Sequence, residues 1–169
     1  NKEVAKILQR SEISISIKWK RLHKKDNSYN KKHVIEKYAT NDLFIEEIQP
    51  KSLLDVYAWD CYYNKFNIPT YLTNDKDNTK PTKFHLEAFE FLAEDYSTKF
   101  DIVDLDPFGS AFECFDFAIK IAQKWLIITI WELWHRRFKR LDFVKHRYWI
   151  TDIKDDWVKK ITDYIINRW

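Results

Sequence analysis

Short apolar segments alternate with helical patterns between residues 40 and 130, and this alternation constrains the fold more than any other feature. The predicted strands are Ser52–Val56, Thr70–Thr73, Phe100–Leu105 and Trp125–Ile130. Helical patterns lie between the later strands, over Leu86–Leu92 and Phe112–Gln123. Strands that alternate with helices favour a doubly wound, mostly parallel sheet with helices on its faces. Because Trp125–Ile130 is the most hydrophobic segment, we expect it to be a central strand buried on both faces.

The length and composition favour a single α/β domain. A chain of 169 residues with 45% hydrophobic and 33% charged residues can bury one full core. We divide it into an N-terminal extension with a basic loop (residues 1–40), a core (41–130) and a basic, aromatic C-terminal part (131–169). No run approaches the roughly 20 apolar residues of a membrane span, and no signal peptide opens the chain.

The cysteine usage bears on location and on metals. Cys61 and Cys114 form no CxxC pair, and no histidine stands at a metal-ligand spacing from them. This pattern predicts neither a disulfide framework nor a zinc site, so we expect a reducing, cytoplasmic location.

The charge is small overall but unevenly distributed. The net charge is +3, while residues 20–33 and 131–148 are basic. The first segment is either a solvated loop or an arm that contacts phosphates. In the second, aromatic residues are interleaved with basic ones, a pattern that suits phosphates and unstacked bases, and we expect the contacts from Arg136, Arg137, Lys139 and Arg140. A solvated helix with an aromatic core face is the alternative for that segment.

The strand Phe100–Leu105 runs directly into Asp106-Pro107-Phe108-Gly109. Gly109 is the only glycine in the chain, so we expect a backbone position with positive φ or with a ligand close by. A carboxylate at the carboxyl end of a central strand lies where open α/β sheets bind their ligands. The sequence therefore predicts an active site at this loop.

Further acidic residues follow the other predicted strands. Asp55 and Asp75 come at or just after strand ends, and Glu87 precedes the next helix. Asp75 follows Asp55 at about the 20-residue spacing with which nucleotide-binding α/β units place an acid on ribose hydroxyls. A carboxylate suits this role because it accepts hydrogen bonds from both hydroxyls. Each acid, taken alone, is also a common turn former or helix cap.

The segment Asp101–Ser110, Asp-Ile-Val-Asp-Leu-Asp-Pro-Phe-Gly-Ser, resembles motif IV of the tRNA guanine N2-dimethyltransferases. These are class I, S-adenosylmethionine-dependent methyltransferases. Weaker similarities follow the same order at Asn74-Asp75, Glu87-Ala88 and Leu126–Thr129, so the resemblance covers about residues 50–130. It implies a Rossmann-like class I methyltransferase fold with a mostly parallel central sheet flanked by helices.

The resemblance also implies an activity. It is N-methylation of an exocyclic amine of a nucleic-acid base, with RNA, including tRNA, favoured over DNA. Asp106 and the backbone carbonyl beside Pro107 would orient the amine, next to Gly109. Phe108 would stack on the target ring, with core packing as its alternative. The residues that we expect to contact S-adenosylmethionine are Asp55, Tyr57, Trp59, Asp75, Glu87 and Asp104.

One departure from the class I pattern keeps two other functions open. The loop Asp55–Cys61 contains no glycine, although class I enzymes usually carry a glycine-rich loop after the first strand. Tyr57 and Trp59 would then fill part of the cofactor pocket. A non-catalytic protein that uses the fold for binding or assembly is one alternative. A methyltransferase that acts on a protein or a small molecule is the other.

Overall fold

The computed structural model describes residues 31–94, 99–130, 141–150 and 157–169. The chain divides into two compact units, Asn1–Gln49 and Pro50–Trp169. In the first unit the structure describes helix α1, Lys31–Ile48. The Thr40 hydroxyl donates to the Glu36 carbonyl inside this helix, at 2.9 Å. Gln49 then takes a left-handed backbone conformation directly before Pro50, a common way to end a helix.

The second unit is built on a parallel sheet, as the alternating pattern predicts. Its described strands are β1 (Ser52–Asp55), β2 (Thr70–Thr73), β3 (Phe100–Leu105) and β4 (Ala122–Ile128). They lie in the order β2-β1-β3-β4, and every neighbouring pair is parallel. The fold is therefore α/β, with a four-stranded, all-parallel sheet flanked by helices.

The described helices of this unit are α2 (Ala88–Ala93), α3 (Phe115–Ile121), α4 (Leu141–Tyr148) and α5 (Trp157–Arg168). Short 3-10 turns occupy Tyr62–Phe66 and Phe112–Cys114. The helical pattern predicted over Phe112–Gln123 is therefore split, because a 3-10 turn precedes α3 and Ala122 already begins β4. No helix in the described ranges is long and apolar enough to cross a membrane.

The strand buried on both faces is β3, and the expectation for the Trp125–Ile130 segment is wrong. All six residues of β3 are buried. By contrast, β4 lies at one end of the described strand order, and its residues Gln123 and Lys124 are exposed. Residues 125–128 of β4 are only half-buried, and of these Leu126 and Ile128 pack against the core. A continuous apolar run therefore does not distinguish a half-buried strand at the end of the described order from a central, fully buried one.

A buried carboxylate joins three strands at the amino end of the sheet. Asp101 in β3 accepts a hydrogen bond from the Lys51 amide at 2.7 Å and pairs with Lys124 of β4 at 2.8 Å. Its own amide donates to the Ser52 hydroxyl of β1 at 2.9 Å. Burial alone raises the pKa of the Asp101 carboxyl, but the hydrogen bonds from Lys124 and Lys51 outweigh it, so this pKa lies below its usual range. These contacts are at the end of the sheet opposite the predicted site, so their role is structural.

Candidate functional site

The direction of chain progression reverses at β1, and in open α/β sheets such a reversal marks a crevice at the carboxyl edge of the sheet. β2 lies on one side of β1 and β3 on the other. The loops that leave β1 and β3 therefore turn away from each other, and open α/β sheets bind their ligands at such a point. Backbone pairing continues just past the strand ends, from the Val56 amide to the Asp104 carbonyl at 3.1 Å. The Asn74 amide donates in the same way to the Asp55 carbonyl at 2.9 Å.

Two buried carboxylates lie side by side at this edge. Asp55 and Asp104 are register partners on β1 and β3, and each side chain is 4% exposed. The Tyr71 hydroxyl donates to Asp55 Oδ2 at 2.9 Å, and the Tyr63 hydroxyl donates to Asp104 Oδ2 at 2.5 Å. The two tyrosine rings contact each other edge to face, 6.2 Å apart.

Neither tyrosine was predicted from the sequence to be a site residue. Burial first, and then the neighbouring Asp104 and Asp55 charges, raise the pKa of Tyr63 well above its ordinary value. Burial followed by the Asp55 charge raises the pKa of Tyr71 in the same direction. Both phenols therefore keep their protons and act as hydrogen-bond donors. Tyr71 stands two residues before the end of β2, on the same face as Thr73, and this period-two spacing is the one signal that could have pointed to it.

Side-chain hydrogen bonds of Asn74 and Asp75 stabilise the loops that follow β1 and β2. The Asn74 side-chain amide donates to the carbonyls of Val56 and Leu86, at 3.2 and 3.0 Å. The buried Asp75 carboxylate accepts from the Trp59 amide at 3.3 Å and from the Asp77 amide at 2.9 Å. Each of these bonds uses one lone pair of a different carboxylate oxygen, so both oxygens keep acceptor capacity for a ligand.

The loop after β1 takes left-handed backbone conformations without any glycine. Trp59 and Cys61 have φ angles of 35° and 50°. Cys61 is buried, and its thiol donates to the Pro81 carbonyl at 3.3 Å. Tyr57 packs against the core, and its hydroxyl lies 3.4 Å from the Cys114 sulfur. Burial and this contact raise the pKa of Tyr57 above its ordinary value.

The loop after β3 differs from expectation at Gly109. Its φ is not positive, and a Cβ added there would meet no atom within 4 Å, so of the two alternatives expected for this glycine the positive φ is wrong. The left-handed residues of the site lie in the β1 loop instead. Asp106 is half-buried and Pro107 is buried. Phe108 is 75% exposed, which excludes the alternative that it packs in the core.

Three side chains from three different loops meet outside the crevice, and we call Trp59, Lys80 and Phe108 the aromatic patch. The Trp59 and Phe108 ring centroids are 5.4 Å apart with the rings inclined at 68°. The Lys80 ammonium lies 3.1 Å from the centroid of the Trp59 ring. No sequence pattern marks Lys80 as a site residue, because only the folded path of the loop after β2 brings it next to Trp59.

The remaining predicted residues are less closely grouped. Glu87 is exposed and pairs with Lys76 at 3.6 Å. The cations predicted to contact substrate, Arg136, Arg137, Lys139 and Arg140, lie outside the described residues. Among the residues that the structure does describe, no group of three or more His, Cys, Asp or Glu side chains could hold a metal ion.

No protein-family model matches the chain, and no curated protein matches it significantly.

Proposed function

We propose that the chain is an S-adenosylmethionine-dependent N-methyltransferase of Rossmann-like, class I type. Its acceptor is an exocyclic amine of a nucleic-acid base, in RNA rather than DNA. The observation that carries the proposal is the position of the Asp106–Gly109 loop. It leaves β3 at the carboxyl edge, directly across the reversal point from the loop that leaves β1. Because Asp101–Ser110 resembles a motif of enzymes that methylate amines, we assign amine methylation to this loop.

The donor groups at this edge suit S-adenosylmethionine. This cofactor supplies an electrophilic methyl group on a positively charged sulfur. Asp75 offers acceptor capacity for a ribose diol, and Glu87 offers an exposed carboxylate for an adenine amine. The buried Asp55 and Asp104 place two carboxyl groups side by side at the same edge. Tyr57 belongs to the loop after β1 and packs against the core there.

Asp106 and Pro107 orient the acceptor in this proposal. The Asp106 carboxylate and a backbone carbonyl beside Pro107 would accept the two amine hydrogens and direct the nitrogen lone pair at the methyl group. As the nitrogen–carbon bond formed, the carbon–sulfur bond would break, and the demethylated product would leave with that electron pair on sulfur. The proton that the methylated amine loses passes to water. Such positioning lowers the barrier without a general base of unusual pKa.

Transfer of a labelled methyl group to RNA tests this role. We expect Asp106→Ala to reduce the transfer rate by about 100-fold or more, because removing an orienting group costs on that order, while cofactor binding persists. Asp60→Ala is the control, since Asp60 is an exposed carboxylate on the β1 loop that has no assigned role. Transfer at the wild-type rate by Asp106→Ala would contradict the proposal.

A binding protein without catalysis is the second candidate. It is favoured by the β1 loop, in which Trp59 and Cys61 occupy left-handed positions that glycine adopts at lower cost. Such a protein would bind a macromolecular partner but not S-adenosylmethionine, which distinguishes it from the first candidate.

A further inference from the structure

We propose that the aromatic patch binds an unpaired stretch of RNA, with a base stacked on the Phe108 and Trp59 rings and a backbone phosphate on Lys80. The inference rests on the proposed function for the class of partner. It assigns Trp59 to the acceptor side of the site, whereas its sequence position alone suggests a cofactor contact. Lys80 gains a role that no motif assigns.

The exposure of the two rings is the first observation. Phe108 is 75% exposed and Trp59 is 43% exposed, although both are large apolar side chains. Each comes from a different strand loop, and the two rings contact each other at 5.4 Å. Exposed aromatic rings gathered from separate loops beside a crevice are typical of a surface that receives a flat ligand.

The backbone at Trp59 is the second observation. A φ of 35° is rare for a bulky residue, and such strain is concentrated at functional sites. The Trp59 ring is not buried by this conformation, so core packing does not account for it. Asp75 stabilises the conformation by accepting a hydrogen bond from the Trp59 amide at 3.3 Å.

Lys80 supplies the charge. Its ammonium lies over the Trp59 ring, 3.1 Å from the centroid, and an ammonium group carries three donors, so it can also bind a phosphate oxygen. Asp77, a carboxylate in the same loop, interacts electrostatically with Lys80. It already accepts from the Thr79 amide at 3.0 Å and from the Thr79 hydroxyl at 2.7 Å.

The chemistry favours unpaired nucleic acid over a protein partner. Aromatic stacking combined with a cation is the recurring arrangement of single-strand binding sites, and every base offers a face to stack on. A stable protein interface buries about 800 Å² on each partner, which two rings and one lysine do not provide.

The test measures binding of the full chain to a fluorescently labelled, unstructured 12-nucleotide RNA by anisotropy. Since stacking is worth about 1–3 kcal/mol per base, we expect Trp59→Ala and Phe108→Ala each to weaken binding by about 5- to 150-fold. Trp59→Phe keeps a ring and should restore most of the affinity. Lys80→Ala should lower the slope of log affinity against log salt by about 0.7, the value for one phosphate on a single strand.

Matched controls come from the same chain. Trp149→Ala removes a tryptophan that is 84% exposed and also has a positive φ, of 55°, but lies at the end of α4. Lys83→Ala removes a cation from the same loop as Lys80, one that lies over Phe84 instead of Trp59. Both control variants should bind the RNA like the wild type.

A parallel titration with S-adenosylmethionine separates this inference from the proposed function. RNA binding that depends on Trp59 without any cofactor binding would support the patch and contradict the methyltransferase. Cofactor binding with RNA affinity equal in wild type, Trp59→Ala and Trp59→Phe would overturn the patch alone. A patch that engages another protein would also leave RNA affinity unchanged. Loss of cofactor binding in Trp59→Ala with unchanged RNA affinity would return Trp59 to the cofactor pocket and overturn the inference.

Discussion

Asp101 shows how a single acidic residue can be structural although it stands five positions before the predicted catalytic acid. Its carboxylate joins the Lys51 amide and the Lys124 ammonium at the amino end of the sheet. Asp106 belongs to the same short segment but lies at the carboxyl end, because β3 crosses the sheet between them. Position along a strand therefore separates the roles of two identical side chains.

Asp101→Asn should lower the free energy of unfolding at pH 7 by about 1–3 kcal/mol, the cost of disrupting a buried, charge-assisted hydrogen bond. The folded-state pKa of Asp101 is depressed, so its stabilisation is present above the unfolded pKa of about 3.9 and is lost as the pH falls through the folded value. Urea unfolding at pH 7 and at about pH 3 should therefore show a smaller difference between wild type and variant in acid.

Asp116→Asn is the matched control for this change, because Asp116 forms an exposed ion pair with Arg168. It should cost less than about 1 kcal/mol, as exposed pairs do. A difference between wild type and Asp101→Asn that stays the same from pH 7 to pH 3 would contradict the linkage.

At the scale of secondary-structure elements, the sequence predicts local features well and long-range contacts poorly. The predicted bounds of β2 and β3 agree with the structure, because turn formers flank both short apolar runs. The burial of β4 was not predictable in this way, because it depends on which strand becomes its neighbour. Likewise the contact of Tyr63 with Asp104 joins residues far apart in sequence, and no local pattern encodes it.

The 3-10 turn Tyr62–Phe66 contains Tyr63, whose hydroxyl links the connection between β1 and β2 to β3 by a hydrogen bond. Tyr63→Phe removes the hydroxyl that donates to the buried Asp104, so the free energy of unfolding should fall by about 1–3 kcal/mol. Tyr62→Phe is the adjacent control, since the Tyr62 hydroxyl is engaged by the exposed Lys65. Urea unfolding measures both, and equal stability of the two variants would contradict a special role for the Tyr63 hydroxyl.

The candidate site was only partly predictable for the same reason. Strand ends can be located from sequence, so Asp55, Asp75 and Asp106 were expected at one edge, where the structure has them. The backbone conformation of the loops was not predictable, because Trp59 and Cys61 adopt angles that their residue types disfavour. Gly109 was singled out because it is the only glycine in the chain, but its backbone conformation does not require a glycine.

For the whole molecule, we propose two adjoining functions at one edge of a parallel sheet. Asp75 lies between them, because its carboxylate is the proposed ribose contact and also accepts from the amide of Trp59 in the aromatic patch. Cofactor binding and RNA binding are therefore expected to be coupled through this residue. The loop after β3, with Asp106 and Phe108, is the proposed catalytic part of the site.

The central claim is that this edge binds S-adenosylmethionine, and calorimetric titration of the full chain with S-adenosylmethionine and with its demethylated product tests it most directly. We expect micromolar binding of both, weakened by at least about 10-fold in Asp75→Ala, since one lost hydrogen bond to a charged group costs about 1.5–3 kcal/mol. Asp60→Ala, which changes an exposed acid on the neighbouring loop, should bind like the wild type. Absence of binding at millimolar ligand, or equal affinity in Asp75→Ala, would contradict the account.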